Sequence, residues 1–306
     1  MKKRVRLPSA TVGLFICLVA YFMLGDVIVY AQQRARVAGP NIKYTAAVTT
    51  IENNRNSSAF SRAAAENARL RTSLSWTFGG KTQRGWDIYV PLIAHTIGVE
   101  AGADTADFAL ALSGWQAKSG LPATGVMDDT TLDSFRKYWQ SRRLGRSGLS
   151  ADANLLSAPI NEFFDSTRST DMLQLEHDTY AAYKKMLADA AKDLRRELKL
   201  TKDGELAPEE KFLRIVSAYR SPEYQEALRK KEPNAGRAAL AKHSPHSTGH
   251  ALDIYVGGEP VKTLDSNRLI QVQTPAYKWL VKNAHRFGFY PYFYEPWHWE
   301  YVPGRQ

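Results

Sequence analysis

A histidine and an aspartate seven residues apart, His246 and Asp253, stand in the run at 244–253 (SPHSTGHALD). A glutamate and a second histidine three residues apart, Glu295 and His298, stand in the run at 295–301 (EPWHWEY). Two imidazoles, one carboxylate ligand and one spare carboxylate are the minimum set for a catalytic zinc site. Three protein ligands leave a fourth position open to water, and the spare carboxylate can take the proton from that water. The chain has a single cysteine, Cys17, inside an N-terminal apolar run. A disulfide within the chain and a Cys-rich zinc site are both excluded, so any metal must be held by His, Asp or Glu.

Two strands and a turn must position these groups. Read as a strand, residues 250–256 put His250, Leu252, Ile254 and Val256 on one face and Ala251, Asp253 and Tyr255 on the other. The apolar set faces the core, and Asp253 emerges opposite with small Ala251 beside it, leaving room for an ion. A bare buried aspartate is costly, and a cation beside it removes that cost. Thr248 and Gly249 make a turn that folds His246 back toward Asp253. In 297–302, His298 and Glu300 share one face, and Trp297, Trp299 and Tyr301 the other. Pro296 argues against a helix, so this is not the helical HExxH arrangement. Glu295 then approaches from a loop, which suits a base that reaches the water without ligating the metal.

These residues carry a resemblance to the zinc D-alanyl-D-alanine carboxypeptidase family of the VanY type, which includes related phage endolysin peptidases. Ser244, His246, Gly249, Ala251 and Asp253 meet the pattern S-x-H-x-x-G-x-A-x-D. Glu295 and His298 meet the later E-x-x-H in its Trp-His-Trp-Glu context. Ser217, Tyr219, Arg220, Ser221 and Gln225 meet an upstream Ser-x-Tyr-Arg-Ser segment with a following Gln. The departure is His250, at a position often small or apolar. The resemblance implies that His246, Asp253 and His298 hold Zn2+ and that Glu295 is the general base and acid. It implies that Arg220 binds the polarised carbonyl oxygen or the substrate carboxylate, with Ser217, Tyr219, Gln225 and Ser244 as substrate contacts. The implied fold is an α+β catalytic domain, a small antiparallel sheet with flanking helices and the zinc site on the sheet face. The implied reaction is hydrolysis of D-amino-acid-containing stem peptides of peptidoglycan, foremost as a D-alanyl-D-alanine carboxypeptidase. An endopeptidase cutting within the stem peptide or cross-bridge, and a non-catalytic cell-wall-binding module, are the alternatives.

Ahead of this domain, residues 80–145 read as a small three-helix domain, with helices expected over 87–97, 107–117 and 128–139. Asp107 is the expected cap of the second. Gln116, Gly120, Leu121, Gly125, Asp128 and Thr131 resemble the peptidoglycan-binding helical repeat found beside many cell-wall hydrolases, which implies cell-wall contact through this domain. Residues 144–159 are rich in Gly and Ser and mark the boundary before a catalytic domain at 155–306. Within the latter, helices are expected over 176–198, 222–231 and 274–286, and a strand over 212–218.

Residues 1–7 (MKKRVRL) are basic and 10–31 largely apolar, so residues 1–31 read as a signal peptide or a signal anchor. Val29 and Ala31 fit a cleavage site before Gln32. Residues 32–79 read as a linker whose end, at 59–74, forms a short helix. Either N-terminal reading makes the body exported, periplasmic or held at the cell envelope, with residues 8–31 as the membrane anchor in the second. The net charge of +10 is concentrated here: residues 1–75 carry 11 Lys/Arg against 3 Asp/Glu, and the rest 30 against 28. A nearly neutral body argues against a nucleic-acid partner.

Overall fold

The computed structural model describes residues 42–144, 154–231 and 244–305, without the side chains of 42–57 and Asp171. The expected signal segment and Cys17 lie outside the described residues. Among the described residues no helix is long and apolar enough to cross a membrane.

Helix α1 (Ile42–Ser73) occupies much of the stretch read as a linker. Its end, the short helix expected at 59–74, packs through small residues and not through a stripe of large ones. Ala63 and Ala64 are buried against Ala109. Asn67, fully buried, donates to the Gly125 carbonyl and accepts from the Met127 N–H. A hairpin follows, β1 (Ser75–Phe78) paired with β2 (Lys81–Arg84). Three helices come next: α2 (Val90–Ile97), α3 (Ala106–Lys118) and α4 (Asp129–Arg142). Thr105, not Asp107, caps α3 by accepting from the Phe108 N–H, and Asp107 sits in the first turn. Asp128 caps α4 through the Thr131 N–H, an arrangement that satisfies a helix-end donor. The turn between α3 and α4 is held from within by Gln116. Its amide nitrogen donates to Val126 O and Thr131 Oγ1, and its oxygen accepts from the Gly125 N–H. Three of the repeat-like residues, Gln116, Gly125 and Thr131, therefore act inside the fold.

The C-terminal part begins with β3 (Leu155–Ser157) antiparallel to β4 (Gln174–Glu176). Helix α5 (His177–Asp193) buries Tyr183, Met186, Leu187, Ala190 and Ala191; it ends earlier than the expected 198, and turns carry Leu194 and Leu198 into the core. Then come β5 (Ile215–Ser217), α6 (Pro222–Lys231), β6 (Ala251–Ile254), α7 (Asp265–Gln273), α8 (Pro275–Asn283), β7 (Phe289–Pro291) and β8 (His298–Tyr301). The main sheet is antiparallel in the order β5-β6-β8-β7. Leu252, Ile254, Val256, Trp297, Trp299 and Tyr301 are buried as the alternation requires. The expected α+β sheet with flanking helices and a helical region before it is the fold found.

The described residues from 59 onward form one compact unit. Within 59–306 the helical region and the sheet share one core, so residues 80–145 do not stand apart as a body of their own. Aromatic rings connect them: Trp115 stacks on Phe135, Phe135 on Trp139, and Trp139 on Phe293, which precedes β8. Buried Arg268 on α7 donates to the Tyr89 hydroxyl and the Tyr294 carbonyl. Nothing in the spacing of these rings marked the second face that they cover.

Candidate metal centre

One face of the main sheet carries the chemistry, and register decides which residues meet. Asp253 on β6 lies opposite His298 on β8, and Ala251 lies opposite Glu300. On the other side of β6, an irregularity between Ile215 and Ser217 sets Ser217 opposite Asp253. An extra residue in one strand re-aims a side chain in this way.

His246 comes to this face from a short 3-10 turn (Pro245–Thr248). Ser244 caps the turn and accepts from the His246 N–H. Gly249 closes it at φ 72°, where a Cβ would lie 2.6 Å from the Glu176 backbone nitrogen. A left-handed position pressed against backbone suits glycine alone. The segment after β5 clamps the histidine at two points. The Ala218 carbonyl accepts from His246 Nδ1–H at 2.6 Å, and the Arg220 N–H donates to the His246 carbonyl at 3.1 Å. Because a carbonyl only accepts, the proton is on Nδ1, and Nε2 presents its electron pair.

His298 is fixed from the other side. Its Nε2 lies 3.1 Å from Glu300 Oε1. Glu300 is fully buried and its acidity is increased to about 2; burial opposes this, but the His298 hydrogen bond and the Arg143 charge outweigh it. An ionised carboxylate there requires Nε2–H on His298, so Nδ1 faces inward. A histidine ligand whose outer nitrogen donates to a carbonyl or carboxylate is the usual support of a metal site.

His246 Nε2, Asp253 Oδ1 and His298 Nδ1 converge, all buried and within 4.8 Å of one another. Their separations are 3.2 Å (His246 to Asp253), 3.2 Å (His246 to His298) and 3.0 Å (His298 to Asp253). A tetrahedral zinc with bonds of about 2.0–2.1 Å has ligand edges of about 3.3 Å, so the triangle is nearly of zinc size before any ion is placed. Three electron pairs pointing inward call for a cation between them. In keeping with that, His298 is pushed up to about 9: burial opposes it, and hydrogen bonds to Asp253 and Glu300 win. His246 falls to about 4, mainly through burial and then the nearby Arg220 charge, and stays a neutral ligand. The second Asp253 oxygen accepts from the Arg220 guanidinium, whose Nε also donates to Ser217 Oγ at 2.9 Å. That leaves Oδ1 for the ion. The donor set fits Zn2+.

Glu295 is buried beside this cluster without joining it. The residues Glu295-Pro-Trp-His298 form a tight turn, closed by the His298 N–H donating to the Glu295 carbonyl at 2.9 Å. Proline at the second position of such a turn is preorganised for it. This turn is the physical meaning of the E-x-x-H spacing. The Glu295 carboxyl is pushed up to about 7; burial is the main cause, His298 opposes it, and Asp253 adds to it.

Of the substrate contacts expected from sequence, Ser217 is buried against Arg220, and Ser244 is buried as a turn cap. Gln225 is buried on α6, and Tyr219 and Arg220 are partly buried. Ser244 therefore acts on His246, and its hydroxyl is turned to the backbone. His250, the departure from the family pattern, is occupied by Thr248 and stacks on Tyr301. Glu300 was placed on the His298 face by alternation but given no role. Arg143, which holds it, gave no signal at all from 157 residues away.

Residues 172–304 match the family model of VanY, D-alanyl-D-alanine carboxypeptidase. The chain is similar to a solved structure of the LdcB LD-carboxypeptidase, with 25% identity over 50% of this chain and 71% of that one, at a TM-score of 0.35. It is also similar to a mutant of the vancomycin-resistance D,D-pentapeptidase VanY in complex with Zn(II), with 20% identity over 54% of this chain and 88% of that one, at a TM-score of 0.33. The comparison with curated proteins gives no match. The three motifs read from the sequence thus sit in a VanY-type region, and that region supports a metallopeptidase of peptidoglycan peptides.

Proposed function

We propose that this chain, through its VanY-type region, is a zinc peptidase that removes the terminal D-alanine from peptidoglycan stem peptides. The observation that carries the reading is the triangle of His246 Nε2, Asp253 Oδ1 and His298 Nδ1, each atom freed for a metal by an outer hydrogen bond or ion pair. A zinc ion held there supplies a Lewis acid for the scissile carbonyl and brings water toward ionisation at neutral pH. Glu295, buried beside the cluster without being one of its ligands, accepts the proton from the attacking water and passes it to the leaving amine. Arg220 holds Asp253 in place and adds positive charge where a carbonyl oxygen or a terminal carboxylate would lie. Tyr219 and Gln225 are the remaining proposed substrate contacts. Action on the cell wall fits an exported protein. Wall contact through the helical region rests on its sequence pattern, and a membrane anchor on the apolar run before residue 32.

The test is digestion of muropeptides by the zinc-loaded chain, followed by mass spectrometry. Release of a single alanine from D-alanyl-D-alanine-terminated pentapeptides, absent in Glu295→Gln, is the expected result. Release of a larger fragment, or cleavage of cross-bridges, would identify an endopeptidase instead. Release from tetrapeptides alone would point to an L,D bond.

A further inference from the structure

The last residues of α4 belong to the helical region, yet they reach the metal centre. Arg143, at the C-cap of α4, donates through Nε to Glu300 Oε1 at 3.0 Å and makes a second, charge-assisted contact through Nη2 to the same oxygen. The next residue, Leu144, donates its backbone N–H to Glu300 Oε2 at 3.0 Å. Arg143 is itself fixed. Its Nη1 donates to Gln140 at 2.6 Å, and its guanidinium lies over the Tyr292 ring at 4.1 Å. Glu300 is fully buried and passes the contact on to His298 Nε2.

We propose that Arg143 is a positioning residue for the metal centre, so that the helical region is a working part of the site and not only an appendage to it. The inference rests on the zinc reading above. Three arguments carry it. First, a buried carboxylate needs an opposite charge, and Arg143 supplies a permanent one to Glu300. Second, the arginine fork and the Leu144 N–H together address both carboxylate oxygens, which fixes the carboxylate plane and with it the His298 ring. Third, α4 is a rigid mount: Phe135 and Trp139 on it stack into the shared core next to Phe293. Outer partners of metal-ligating histidines are commonly worth 10–100-fold in metal affinity or activity.

The experiment measures zinc affinity of the full chain by competition with a chromophoric chelator, and the visible spectrum after loading with Co2+. Arg143→Ala should weaken zinc binding by about 10-fold or more and change the Co2+ spectrum, because the His298 ring is released. Arg143→Lys should fall between the two, since lysine keeps the charge but loses the fork. Glu300→Gln should lose a similar factor, and the double variant should lose little more than either single one, because both act on one ring. A merely structural arginine would lower thermal stability and leave the Co2+ spectrum and zinc affinity as they are; that result in Arg143→Ala overturns the inference. Should Arg143→Ala not fold, parent-like zinc affinity in both Arg143→Lys and Glu300→Gln overturns it equally. A parent chain that takes up no zinc overturns the metal reading and this inference together. Tight zinc in the parent, lost in His298→Ala but unchanged in Arg143→Ala, overturns this inference alone.

Discussion

Glu295 should destabilise the metal-free protein, and the size of that effect follows from its surroundings. Burial lifts the carboxyl from an ordinary 4.5 to about 7. At about 1.36 kcal/mol per pH unit, the rise is worth about 3 kcal/mol. The sign follows from proton linkage. Between 4.5 and 7 the folded chain keeps the Glu295 proton while the unfolded chain has released it. Stability therefore falls as pH rises through this window, and above 7 the whole amount is lost. Glutamine fills the same space and does not titrate. Urea unfolding of chelator-stripped Glu295→Gln and parent at pH 5 and pH 8 isolates the contribution, since the other titrating groups are common to both. Relative to the parent, the variant should gain about 2.5 kcal/mol on going from pH 5 to pH 8, since the unfolded carboxyl is already partly ionised at pH 5. A difference between the two chains that stays constant across this range would refute the claim that Glu295 is held protonated by burial.

With zinc bound, Glu295→Gln should keep the metal and lose about 10²–10⁴-fold in turnover of a D-alanyl-terminated peptide. His298→Ala, three residues on, should lose metal as well as rate, and His250→Ala, whose ring is engaged by Thr248, should keep its zinc; metal analysis after desalting separates the three. Gly249→Ala should cost about 2 kcal/mol or more, because an L-residue is strained at φ 72° and its Cβ would press on the Glu176 nitrogen. The same change shifts the turn that carries His246, so zinc affinity should drop with stability in a denaturation and chelator-competition pair.

The metal site was legible because its information is local or periodic. Strand alternation sets Asp253 opposite the apolar face of its own strand and His298 with Glu300 on one face of the other, and the pairing of the two strands then brings Asp253 and His298 together. Thr248 and Gly249 mark the turn after His246, and Pro296 argues against a helix between Glu295 and His298. What the sequence hid is what depends on long-range packing. The short helix expected at 59–74 gave no sign of its partner, because Ala63, Ala64 and Asn67 meet Ala109 and Gly125 only in the fold. The helical region looked self-contained because nothing in the spacing of Trp139 tells whether its ring faces its own bundle or Phe293. Arg143 follows a helix of charged residues and has no motif; only the fold brings it to Glu300. Nothing in the sequence marked Ser244 as the cap of the His246 turn or Ser217 as an acceptor from Arg220, since both contacts depend on the fold.

The most direct test of the account is an anomalous difference map at the zinc absorption edge from crystals of the zinc-loaded chain. A single strong peak about 2.0–2.1 Å from His246 Nε2, Asp253 Oδ1 and His298 Nδ1, with the Glu295 carboxylate outside bonding distance, is the expected result. A peak at any other set of side chains, or one bonded to Glu295 in place of these three, would contradict it.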